Sequence, residues 1–138
     1  MVTPQVRAIT FDVGGTLIEP WPSVGHVYAS VAGEYGHDAI DPEALNRQFR
    51  KAWQGKRGFD HSRGAWLQMV DEAFDGLIAG RVEASLFDEL YRRFATPTVW
   101  RVFDDARPTL EQLQQQRFKL GVISNWDERL RPLLANLN

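Results

Sequence analysis

Asp12 closes a short apolar run, Val6-Arg7-Ala8-Ile9-Thr10-Phe11, and Gly14, Gly15 and Thr16 follow within four residues. The combination sets a carboxylate beside a tight glycine loop whose backbone N–H groups can face a ligand, because glycine tolerates positive φ and close approach. A second run, Phe118-Lys119-Leu120-Gly121-Val122-Ile123, ends in the small polar pair Ser124-Asn125. In open α/β sheets, ligands gather at the carboxyl ends of the strands, which is where both polar sets fall. Each set also has a plainer reading. Asp12 suits a turn carboxylate at a strand end, and Ser124 suits the N-cap of a following helix.

Short apolar runs bounded by turn signals predict strands, the first of them largely buried. Glu19-Pro20-Trp21-Pro22 reads as a rigid, non-helical connector. Four helical stripes follow: Val24–Tyr35; a second that Asp41-Pro42 starts, carrying Leu45, Phe49 and Trp53; Trp66–Leu77; and Leu86–Phe94. Lys56–Arg63 between the second and third is either a solvated loop or a basic, substrate-facing one. His61 within it lacks neighbours at a metal-ligand spacing, and Met69 reads as core filler. Val99–Phe103 is a possible strand. Leu110 and Leu113 mark a polar-faced helix, and Leu130–Leu137 a last helical stripe. Helical pattern from about Val24 to Phe94 is too long for one crossover and reads as an inserted bundle.

Asp12-Val13-Gly14-Gly15-Thr16 resembles motif I of the haloacid dehalogenase-like (HAD) superfamily, and the stretch Gly121–Leu130 resembles its motif II. The resemblance implies an α/β fold, a partial Rossmann-like parallel sheet with an inserted helical cap. Residues 1–20 and 98–138 would form the core and 21–97 the cap. It implies Asp12 as nucleophile, Thr16 as the motif threonine, and Ser124 with Asn125 and Gly15 as phosphate-binding groups. A Mg²⁺ ion would meet Asp12 and the backbone carbonyl of Gly14. Gly14 stands where family phosphatases carry a second Asp, the general acid/base. The basic residue of motif III and the acids of motif IV have no counterpart before Asn138, so the resemblance implies an incomplete, weakly active or inactive hydrolase. The implied substrate is a small anion such as a phosphomonoester. A 2-haloacid is the alternative, since halide departs without a proton, although Gly14-Gly15 is unlike the dehalogenase motif. A catalytically silent binding protein or fragment is the third reading.

Composition narrows the remaining classes. With 25% charged and 43% hydrophobic residues the 138-residue chain is expected to form a soluble globular protein. A net charge of −2 without basic runs gives no reason for nucleic acid or anionic membrane. Zero cysteines exclude disulfides and thiolate chemistry. They fit the cytoplasmic location expected from the lack of an amino-terminal leader or a membrane span. Two firm strands leave an open sheet edge, which predicts self-association.

Overall fold

Strand β1 (Ala8–Phe11) pairs in parallel with a strand more than a hundred residues later in the computed structural model, which describes residues 6–137. In chain order β2 (Ile18–Pro20) follows, then helices α1 (Val24–Glu34), α2 (Pro42–Gly55), α3 (Arg63–Phe74) and α4 (Ala84–Arg93). A short 3-10 turn, Pro97–Val99, leads to β3 (Trp100–Val102), α5 (Ala106–Gln115), β4 (Lys119–Val122) and α6 (Leu130–Asn136). The expected α/β fold is present, with a parallel β1–β4 sheet and no strand between α1 and α4 among the described residues. The amino-terminal expectation on leader sequences concerns residues 1–5, outside the described part.

Residues 6–19 and 101–125 form one compact unit. Its β1–β4 ladder sets Ala8 opposite Lys119 and Phe11 opposite Val122, and extends to a bond from Ile123 N–H to the Phe11 carbonyl at 3.0 Å. Helix α5 packs beside β4. The expectation of a largely buried first strand fails. Ala8 and Thr10 are exposed and Ile9 and Phe11 only half-covered, because each strand has a single strand neighbour among the described residues and parallel strands need cover on both faces. The possible strand at Val99–Phe103 also departs from expectation. Its central residues, β3, pair with β2 rather than joining β1 and β4. Pro20, read as connector, is the last residue of β2, a position where a missing N–H is tolerated.

Residues 20–100 and 126–137 form the second unit. Asp41 caps α2 through bonds from Glu43 N–H and Ala44 N–H at 3.0 and 3.2 Å, with Pro42 in the first turn as its φ favours. Ser23 and Ser62 cap α1 and α3 in the same way. The apolar stripes meet in a core that includes Val27, Val31, Leu45, Phe74, Leu86 and Leu90. Tyr28 stacks on Phe74 with centroids 5.7 Å apart and takes Phe49 and Phe94 edge-on. Burial drives its phenol pKa far up. Met69 is fully buried, as a filler should be.

Candidate active site

The register of β1 on β4 brings the two sequence-predicted polar sets to one edge. Ser124 Oγ donates to Asp12 Oδ1 at 2.5 Å, and the Val13 N–H donates to the same oxygen at 2.8 Å. Both bonds fall on Oδ1, so Oδ2 is the freer oxygen of an exposed carboxylate. Ser124 does not cap the next helix, which begins only at Leu130 with Arg129 in the cap position.

The loop after Asp12 is closed by its own backbone. The Val13 carbonyl accepts from the N–H groups of Thr16, Leu17 and Ile18 at 3.1, 2.8 and 3.2 Å. The Gly15 N–H donates to the Ile18 carbonyl at 2.8 Å, and Gly15 holds a φ of +76° that favours glycine. Val13 and Ile18 are buried beneath the turn. The Gly14–Ile18 bridge is made by Val13 carbonyl and Gly15 N–H, so neither polar group of Gly14 takes part in it. Thr16 and Asn125 are exposed on the same two loops.

A magnesium ion demands a near-octahedral oxygen shell. Among the described residues no group of three or more His, Cys, Asp or Glu gathers to hold a metal. Asp12 and the Gly14 carbonyl alone do not complete such a shell, and His61 packs on the Phe59 ring at 4.9 Å instead. The loop offered as a basic lure has two of its three cations paired, Lys56 with Glu72 at 2.6 Å and Arg63 with Asp88 at 2.5 Å.

The sequence reading missed a network in the helical unit that begins two residues past Asn125. Arg129 donates to Asp127 from Nε and Nη2 at 2.8 and 2.6 Å, and the Trp66 indole N–H adds a third side-chain bond at 2.8 Å. The Arg129 guanidinium stacks on the Tyr91 ring at 3.8 Å, and Tyr91 Oη donates to Glu128 at 2.7 Å. Burial works to raise the Asp127 pKa, but the bonds and charge of Arg129 and the Trp66 bond outweigh it and hold the carboxyl below its ordinary range. The available signal was a charged i, i+2 pair wedged between Trp126 and the Leu130–Leu134 stripe.

A family model for haloacid dehalogenase-like hydrolases matches residues 6–138. The chain belongs to this family. It is 33% identical over 144 residues to haloacid dehalogenase-like hydrolase domain-containing protein 3 of Homo sapiens, covering 96% of this chain and 57% of that protein. Rhythmically expressed gene 2 protein of Drosophila melanogaster is 30% identical over 151 residues, with the same two coverages, 96% and 57%. Among solved structures, a predicted phosphoglycolate phosphatase from Haemophilus somnus superposes with a TM-score of 0.58 at 20% identity, covering 97% of this chain and 59% of that one. A dehalogenase superposes at 0.56 with 22% identity, covering 98% and 58%; these two show the shared fold. The HAD-like chain thus spans less than two thirds of the length of each of these four proteins.

Proposed function

We propose that this HAD-like chain carries the nucleophile half of a hydrolase for small anionic substrates, phosphomonoesters first. The observation that carries the reading is the 2.5 Å bond between Ser124 and Asp12, which joins loops 112 residues apart at one sheet edge. Asp12 Oδ2 attacks phosphorus while the alcohol oxygen leaves with the bonding pair, giving an acyl-phosphate. Water then hydrolyses that intermediate to inorganic phosphate and restores the carboxylate. Ser124 Oγ turns from Asp12 to the anionic oxygens, joined by the Gly14 N–H and by Thr16 and Asn125. Gly15 contributes its positive φ to the turn, its N–H being engaged. Asp12 and the Gly14 carbonyl would form part of a Mg²⁺ site, the ion supplying charge neutralisation for the carboxylate and the substrate anion. Residues 1–20 and 98–138 as catalytic core, 21–97 as substrate-selecting cap, and a cytoplasmic setting complete the proposal. Among the described residues no helix is long and apolar enough to cross a membrane.

Gly14 favours a second reading. No acid stands there to protonate a leaving alcohol, whereas halide leaves a 2-haloacid without a proton. A panel of p-nitrophenyl phosphate and 2-chloropropionate, with and without Mg²⁺, on wild type, Asp12→Asn and Ser124→Ala separates the two. Phosphate release lost in Asp12→Asn and reduced in Ser124→Ala supports the first reading. Chloride release alone supports the second. Activity that survives Asp12→Asn contradicts both.

A further inference from the structure

We infer that Arg7, Arg117 and Lys119 form a binding site for a compact polyphosphate at the amino-terminal ends of β1 and β4. Asp12 and Ser124 stand at the opposite, carboxyl ends of the same strands. The three cations line one cleft of about 470 Å³ together with Val6, Gln116 and Phe118, a size that suits a small ligand. The parallel ladder builds it. Ala8 lies opposite Lys119, and the Lys119 N–H donates to the Arg7 carbonyl at 3.0 Å, where the chain leaves α5 for β4. Every part of the cleft falls within the unit of residues 6–19 and 101–125.

No acid lines this cleft, and the sequence holds none before Asp12. Among the described residues, the side chains of Arg7, Arg117 and Lys119 have no ion-pair or hydrogen-bond partner. The chain carries a net charge of −2, so the cluster does not reflect a generally basic surface. Three exposed like charges around one cleft repel one another, and a multiply charged anion offsets that repulsion. Each guanidinium can take two phosphate oxygens side by side, and the ammonium adds a point charge. Half-buried Phe118 adds an aromatic wall.

Arg117 supplies a second, independent observation. Its N–H donates to the Gln114 carbonyl at 2.8 Å, and the Phe118 N–H donates to the Leu113 carbonyl at 3.1 Å. This pair of bonds closes a helix through one left-handed residue, and glycine is usual there. Arg117 holds that place with a φ of +66°. The backbone would be better served by glycine, so the cation is kept at the expense of stability, as strained residues at binding sites are.

Isothermal titration calorimetry with pyrophosphate and with ADP on the 138-residue chain, at low ionic strength and beside amide shifts from nuclear magnetic resonance, tests this. Pyrophosphate should bind wild type and shift the Arg117, Phe118 and Lys119 amides. Arg117→Gly and Lys119→Gln should each raise its dissociation constant about tenfold, the effect of one lost charge-assisted contact. Arg117→Gly should also melt higher than wild type, which separates lost binding from lost folding. Ser124→Ala should leave the pyrophosphate shifts at Arg117–Lys119 unchanged. ADP binding tighter than pyrophosphate, with Phe118→Leu cancelling the difference, supports a nucleoside diphosphate as the ligand, whereas equal binding supports an inorganic polyphosphate. Wild-type affinity in Arg117→Gly, shifts confined to the Asp12 and Ser124 loops, or no binding by wild type overturns the inference.

Discussion

Ser124 and Arg129 make opposite demands on a side chain, and substitution separates them. Ser124→Ala removes one donor at an exposed carboxylate, so stability should change by less than about 1 kcal/mol in urea denaturation. Arg129→Ala leaves the Asp127 carboxylate buried without its partner, and the same measurement should show a loss of about 3–5 kcal/mol. The Asp127 carboxyl lies below its ordinary value of 3.8 in the folded chain. Its stabilisation is therefore complete above that value and is lost as pH falls through the lowered folded pKa. Asp127→Asn should flatten the acid limb of a stability–pH curve, and an unchanged acid limb would contradict the network. Tyr91, pushed up to about 12 by burial and then by its bond to Glu128, should stay un-ionised at pH 11 in an ultraviolet titration. The meeting of Asp12 and Ser124 at one end of the β1–β4 pair was legible because residue types and strand ends coincide. Asp127 and Arg129 were not, because their partners Trp66 and Tyr91 lie far away in sequence and no local period connects them.

At the scale of elements, the helices read well because apolar periodicity and caps are local signals. Asp41-Pro42 predicts the start of α2 to the residue, and Asp41→Ala should cost about 1 kcal/mol in thermal or urea melts. Gly25 is a different case. A Cβ there would sit 2.0 Å from the Pro42 carbonyl oxygen and 2.8 Å from Asn46, whose Oδ1 accepts from the Gly25 N–H. Helix α1 can lie against α2 only with that hydrogen in place of a methyl. Gly25→Ala should destabilise by about 3 kcal/mol, the upper end for overpacking, despite the better helix propensity of alanine. A stabilised Gly25→Ala would show that the helices can separate at no cost. Nothing in the local sequence marks Gly25, since a close approach between helices leaves no periodic trace. The β2–β3 pairing was equally hidden, because a three-residue ladder containing a proline carries no alternation to read.

For the molecule as a whole, the α/β class and the inserted helices followed from one switch between apolar runs and helical stripes. The cover over β1 and β4 did not follow, because burial depends on neighbours that a strand's own residues do not specify. Ile123 is 72% exposed and Val6 68%, and β1 and β4 each have one strand partner among the described residues. Open apolar edges recruit further strands, so the 138-residue chain is expected to self-associate in sedimentation velocity. Ile123→Lys should shift it toward monomer, and a wild-type monomer at high concentration would refute the expectation. The central claim is that Asp12 is the nucleophile and Ser124 its anion-holding neighbour. Its most direct test is turnover of p-nitrophenyl phosphate and 2-chloropropionate by the longest product of this gene, beside Asp12→Asn. The account predicts hydrolysis of one substrate by wild type and none above background by Asp12→Asn, which keeps the side chain's size and loses the attacking oxygen. Turnover that survives Asp12→Asn, or a wild type inert toward both substrates, would contradict it.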